Sequence, residues 1–299
     1  MLIQLLLQLN EPEQDVVPQW IAPVMFGIVF ICFLVFLIRV VEHWYAWRFD
    51  RPLIRNLFVY KRLSPQQELI TDENFPFYKH WKSRKKKILQ HRIVSFIEST
   101  DFEGRGISIS DEMKIIISTY ACLLTFGRKY FKYILIDKII IYPEAFYNGY
   151  KNSYHVGEFS PSKRTLALSW ADVLAIDPKG KRNLLIHEFM HALQWEAKVT
   201  DSFDSDRFRK YYQKMLRLLL KDSVRKNVKK ANLRAYAFTN EYEFMSELAE
   251  YFYQHPLEFS LKLPEIYHLM RKILNLDFKK LTYTEIQKDM LALPSLSDY

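Results

Sequence analysis

The residues best placed to do chemistry are His187, Glu188 and His191, in the run Leu184-Leu185-Ile186-His187-Glu188-Phe189-Met190-His191. Side chains four apart on an α-helix share a face, so the two imidazoles can converge on one metal ion. Glu188, turned by about 100° from His187, can then reach a water held beside that metal. Zinc with three protein ligands and one open position lowers the pKa of its water to about 7, and a neighbouring carboxylate can take the proton as the oxygen attacks an amide carbonyl. Without a metal or hydrogen-bond partners, two histidines and a glutamate buried among Leu184, Leu185, Ile186, Phe189 and Leu193 would be strongly destabilising. The spacing therefore predicts one zinc ion per chain and amide hydrolysis.

A third ligand has to come from elsewhere, because Gln194 stands where a longer histidine motif needs its glycine. A carboxylate on a later helix is expected. The predicted helix over 240–253 offers Glu241, Glu243, Glu247 and Glu250, of which the last three recur at i, i+4 and i+7 on one face. One of them can bind the metal and another can orient a histidine, and periodicity leaves the choice open.

The elements that must position these groups are helices with a few strands. Ser64-Pro65-Gln66-Gln67 reads as a helix start, Phe77–Ser99 as a basic amphipathic helix and Ser110–Phe126 as a further helix. Strands are expected at Gly106–Ser108, Lys132–Tyr142 and Thr165–Trp170. The lack of regular βαβ alternation gives an α+β class. A helical stretch over 201–231 carries Lys214, Arg217, Lys221, Arg225, Lys226, Lys229 and Lys230. It reads either as a solvated face or as a surface drawn to anionic lipid or nucleic acid.

The composition excludes several alternatives. Of the 299 residues only seven are glycine, with Gly104 and Gly106 the closest pair, so neither a Walker loop nor a dinucleotide fingerprint is present. Two cysteines, Cys32 and Cys122, build no disulfide framework or cysteine zinc cluster. Aromatic residues at 16% and hydrophobic residues at 49% support a packed core.

From Trp20 to Ile38 no residue is charged, and a helix of that length rises roughly 28 Å, about the thickness of bilayer hydrocarbon. We read residues 20–41 as a transmembrane helix, with Trp20 at one interface and Trp44, Tyr45 and Trp47 at the other. Arg39, Arg48, Arg51, Arg55, Lys61 and Arg62 follow the uncharged stretch, so the positive-inside rule puts the N-terminus outside and the remaining chain in the cytoplasm. The expected organisation is an extracytoplasmic tail (1–19), the span (20–41), a juxtamembrane segment (42–62), a catalytic domain (63–280) and a C-terminal tail (281–299).

The segment Ala235-Tyr236-Ala237-Phe238-Thr239-Asn240-Glu241-Tyr242-Glu243-Phe244, continued by Glu250-Tyr251-Phe252-Tyr253 and Pro256, resembles the Mlc titration factor A (MtfA) family of zinc peptidases. So do Ile141-Tyr142-Pro143, Leu168-Ser169-Trp170 and the predicted helix over 183–193, in the same order. The resemblance covers about residues 63–280. It implies a gluzincin-like domain in which His187, His191 and Glu243 ligate zinc, Glu188 is the general base and Tyr236 donates to the oxyanion of the tetrahedral intermediate. Glu250 would support the ligands from behind, and Gln194 departs from the family's aspartate. By analogy with gluzincins, a peptide substrate would add as a strand along Thr165–Trp170, bonded to Leu166 or Leu168. The alternative implied by the family is a regulatory protein that sequesters a partner such as a transcription factor, with the zinc site structural or vestigial. Direct nucleic-acid binding is not expected, since the membrane flank accounts for much of the positive charge.

Overall fold

The computed structural model describes Pro18 and residues 20–49, 60–149, 152–175, 182–231 and 233–282. Most of the expected N-terminal tail, much of the juxtamembrane segment and nearly all of the C-terminal tail lie outside the described residues. The chain divides into two units, Met1–Ile54 and Arg55–Tyr299.

The first unit is helix α1, Ile21–Phe49. Its stretch Ile21–Tyr45 is long and apolar enough to cross a membrane. Its apolar side chains are exposed, Phe26 and Phe30 among them, whereas a helix of a soluble core would bury them. The first charged residue of the helix, Arg39, pairs with Glu42 one turn on.

The second unit opens with α2 (Pro65–Asn74), α3 (Pro76–Lys79) and α4 (Ser83–Ser99). Ser64 Oγ accepts from the Gln67 amide while Gln67 Oε1 accepts from the Ser64 amide, a reciprocal cap that fixes where the chain turns helical. The expected continuous helix over Phe77–Ser99 is interrupted after Lys79, where the Trp81 ring is buried and its indole N–H donates to the Leu281 carbonyl. Strand β1 (Asp101–Gly104) comes next, and the strand expected at Gly106–Ser108 is absent because Gly106 has a left-handed φ of 77° that breaks extension. Helix α5 (Asp111–Leu124), capped by Ser110, runs through the core with Ile115, Ile117 and Leu124 fully buried.

Strands β2 (Lys138–Tyr142), β3 (Phe146–Asn148), β4 (Ser153–His155), β5 (Gly157–Ser160) and β6 (Thr165–Ser169) follow, then the short helix α6 (Trp170–Leu174). The main sheet has the order β1-β2-β6-β5, parallel except for β5, and β3 pairs with β4 as a separate hairpin. Alternation sends Ile139, Ile141, Leu166 and Leu168 into the core. This order corrects the expectation for Thr165–Trp170. Strand β6 is flanked by β2 and β5, so its ladder groups are already paired, and the sheet's two edges belong to β1 and β5, of which β5 lies against α7.

The remaining helices are α7 (Leu184–Val199), α8 (Phe203–Leu219), α9 (Asp222–Lys230), α10 (Glu241–Gln254), α11 (Pro256–Lys262) and α12 (Pro264–Leu274), with a 3₁₀ turn at Ala235–Phe238. The single helical stretch expected over 201–231 is two helices. Helix α7 packs against α10, α5, α8 and β5. Its Phe189 ring is fully buried, with ring centroids 5.1 Å from Tyr133 and 6.0 Å from Phe96.

Candidate metal centre

Two caps place the candidate ligands. Asn183 Oδ1 accepts from the Ile186 amide at 3.0 Å and starts α7, so that His187 falls in its first turns. Asn240 Oδ1 accepts from the amides of Tyr242 and Glu243 at 2.9 and 3.0 Å and starts α10, with Glu243 in its first turn. The apolar side of α7 (Leu185, Ile186, Phe189, Met190) faces the core, which turns His187 and His191 together toward α10.

There His187 Nε2 lies 3.2 Å from His191 Nε2 and 3.0 Å from Glu243 Oε2, and His191 Nε2 lies 3.6 Å from Glu243 Oε1. These three side chains could hold a metal ion. The far nitrogen of each ring has its own partner. His187 Nδ1 is 2.8 Å from Glu250 Oε1, and His191 Nδ1 is 3.3 Å from Ser246 Oγ, whose hydroxyl in turn donates to the His187 carbonyl. Donation from Nδ1 leaves the Nε2 lone pairs facing each other across 3.2 Å, a repulsive arrangement unless a cation stands between them. With the His187 proton on Nδ1, the buried Glu243 Oε2, 3.0 Å from Nε2, is likewise left without a hydrogen-bond donor, the second sign that a cation is wanted here.

Charge tells the same story. Burial opposes protonation of His187, yet the carboxylates of Glu243 and Glu250 outweigh it and raise its pKa to about 10. Burial likewise pushes Glu243 up, but the two imidazoles hold it well below the usual carboxylate range. Glu188 is buried, and its pKa is raised, foremost by that burial. The carboxylates are offset by one cation that sequence reasoning missed. Arg234 donates from Nε to Glu247 at 3.0 Å and from Nη2 to Glu250 at 2.6 Å. Two buried glutamates on one helical face were the signal that an arginine had to be near.

Of the four glutamates considered for a third ligand, Glu243 reaches the imidazoles, Glu247 and Glu250 take Arg234, and Glu241 points away to accept from the Tyr212 hydroxyl at 3.1 Å. Glu250 also accepts from the Asn183 amide at 2.5 Å, tying the start of α7 to the His187 ring. Tyr236 stands half exposed on the 3₁₀ turn, its ring centroid 6.3 Å from that of His187 and its hydroxyl within reach of Glu243. Gln194 donates to the Tyr242 carbonyl at 3.1 Å and to Ser246 Oγ at 3.4 Å, so the amide bridges α7 and α10 where an acid would need a donor instead.

Another residue absent from the sequence reading is Gly157, the first residue of β5. A Cβ there would sit 2.5 Å from Glu188 Oε1 and 2.7 Å from Leu184 Cδ1, so only glycine lets the strand lie against the helix.

Two helix-borne histidines and a carboxylate from a later helix are a donor set that could hold a metal ion. Residues 46–274 match the model of the glucose-regulated metallo-peptidase M90 family, and the chain belongs to that family, which implies a metallopeptidase with a metal cofactor and a peptide or protein substrate. A protein of Synechocystis sp., slr2042, itself described as uncharacterized, is 24% identical over 255 residues, covering 77% of this chain and 88% of the relative.

Proposed function

We propose that the chain is a membrane-anchored zinc peptidase whose metal is held by His187, His191 and Glu243. The observation that carries this reading is the convergence of three donor groups at separations of 3.0 to 3.6 Å, with both imidazoles steadied from behind. Tetrahedral zinc with bonds of about 2.0 Å needs donors about 3.3 Å apart, which these separations bracket. The finer resemblance to the MtfA family supports the same ligand set.

Zinc at that position supplies Lewis acidity, polarising the scissile carbonyl and letting water lose a proton near neutral pH. The chain's own groups do the rest. Glu188, held dry beneath β5, accepts the proton from the attacking water and passes it to the leaving amine. The raised pKa that burial gives it suits a group that must both take and return a proton. The Tyr236 phenol donates to the oxygen on which negative charge develops. Glu250 and Ser246 hold the two rings in orientation, and Arg234 balances the carboxylates behind them. The substrate backbone lies along the outer edge of β5, the strand pressed against Glu188, in place of the Thr165–Trp170 edge. Helix α1 tethers the domain, and the cations that follow it support a cytoplasmic domain by the positive-inside rule.

Elemental analysis of the detergent-solubilised full chain tests the ligand set before any substrate is known. The expected result is about one zinc per chain, lost in both His191→Ala and Glu243→Ala while the fold persists by circular dichroism. Folded wild-type protein that stays empty when zinc is supplied would overturn the reading. For the substrate edge, peptides N-methylated at alternate amides should lose most of kcat/KM, and unchanged values would exclude strand addition.

A further inference from the structure

Residues 207–230 contain ten lysines and arginines and one acid, Asp222, so this stretch alone has a formal charge of +9, equal to that of the whole chain. It forms most of α8 and all of α9, which bury Phe208, Tyr211, Met215, Val224 and Val228; Arg207 is buried with them, Arg209 is half-buried, and the other cations are exposed. Lys214, Arg217 and Lys221 follow one another at helical spacing on the exposed side of α8 and its end, and Lys226, Lys229 and Lys230 are exposed on α9. Asp222 is taken by Arg225. Among the described residues, none of Arg217, Lys221, Lys226, Lys229 and Lys230 has a carboxylate within ion-pair distance.

Leu220 stands at the tip between the two helices, 78% exposed, the most exposed large apolar side chain of the described residues and flanked by Arg217 and Lys221. An apolar tip within a collar of cations matches the bilayer interface, where anionic headgroups meet the cations and the side chain enters the acyl boundary. A single-stranded nucleic acid would instead need exposed aromatic platforms, and the aromatic residues of α8 and α9, Phe203, Phe208, Tyr211 and Tyr212, are buried or half-buried. A chain anchored through α1 also keeps its domain on a short tether. Fifteen residues, 50–64, join α1 to α2 and reach at most about 50 Å when extended, which keeps the local lipid concentration high.

We propose that the α8–α9 face docks the domain on the anionic leaflet of the membrane in which the chain is anchored, with Leu220 inserted and the surrounding lysines and arginines on lipid headgroups. Because α9 and the end of α8 pack beside the turn that carries Tyr236, through Leu216, Leu219, Val228 and Phe238 around a cavity of about 260 Å³, docking fixes which side of the cleft faces the lipid. The inference does not rest on the peptidase reading and is tested without hydrolysis.

The test is lysine footprinting of the full chain in nanodiscs, using a neutral anhydride and mass spectrometry. Discs of phosphatidylcholine are compared with discs in which one third of the lipid is phosphatidylglycerol. Labelling of Lys214, Lys221, Lys226, Lys229 and Lys230 should slow roughly fivefold in the anionic discs, relative to Lys163 and Lys262, and recover at high salt. Leu220→Ser should weaken the protection, and the combined Lys221→Glu, Lys226→Glu and Lys229→Glu reversal should abolish it at Lys214 and Lys230 with unchanged thermal unfolding. Equal labelling in the two kinds of disc would overturn the proposal, as would protection that appears only when an oligonucleotide is added to neutral discs.

Discussion

At the N-terminal half of α7, two imidazoles and Glu243 face one another with donor atoms to spare, whereas at its C-terminal half Glu196 is buried with a donor for each oxygen. Glu196 Oε1 accepts from the Ile134 amide at 2.6 Å, and Oε2 lies 3.6 Å from Arg128 Nη1. Asp204, beside it, accepts from the amides of Lys129 and Tyr130 at 3.1 and 3.2 Å. Both clusters bury charge on one helix. The difference is that the Glu196 cluster sets carboxylates against Arg128 and joins loop to helix, leaving Asp204 Oδ1 and Arg128 Nε without hydrogen bonds but beside opposite charge, while the histidine cluster leaves lone pairs converging on a point. Burial of polar groups marks both structural and functional places, and unsatisfied acceptors that converge separate one from the other.

The comparison can be broken in four places, taken from the largest expected effect. Replacing Glu188 by glutamine should lower peptide turnover by up to about 10⁴-fold with zinc content and melting temperature unchanged, since only the proton acceptor is removed. An active Glu188→Gln would mean that the N-terminal half of α7 is as structural as the other. Glu196→Ala should cost up to about 3–5 kcal/mol in denaturant unfolding by leaving buried Arg128 with only Asp204, 3.9 Å away, as its carboxylate, and zinc content per folded chain should stay the same. Zinc lost together with Glu196 would merge the two clusters into one. Glu250→Gln should weaken zinc affinity about 10–100-fold in a chelator competition, because the amide no longer favours the His187 tautomer that exposes Nε2. Gln194→Ala, which lies between the clusters, should lose about 1 kcal/mol of stability with little change in zinc affinity. A large loss of zinc there would show that the Tyr242 and Ser246 contacts position His191.

Much of this site was legible in the sequence because its residues sit on helices, where spacing is geometry. His187 and His191 could be placed on one face, with Glu188 about 100° round from them, from their numbers alone, and Glu243, Glu247 and Glu250 on another, all three of which turn toward His187 of α7. What could not be read is which carboxylate meets which partner, because that depends on the crossing of α7 and α10. Arg234 lies in irregular chain before the 3₁₀ turn, and no periodicity points from there to Glu247 and Glu250. The sheet was less legible than the helices. Strands β3, β4 and β5 are three or four residues long, too short for alternation to register, and the order that makes β6 internal is a long-range fact. The break between α8 and α9 at Leu220 and Lys221 likewise carries neither proline nor glycine.

The backbone amide of Asn183 donates to Glu250, the same carboxylate that holds His187 Nδ1, while its side chain caps α7. The first turn of α7 and the ligand ring are therefore clamped by one acid from α10. On the zinc reading proposed above, emptying the metal position would free His187 to take a proton and Glu250 to shift, and the clamp would relax at both ends together. The loading state of the centre should accordingly be written into the amide hydrogen-exchange rates of residues 184–188, which would speed up on chelation while those of the Glu196 half keep their pace.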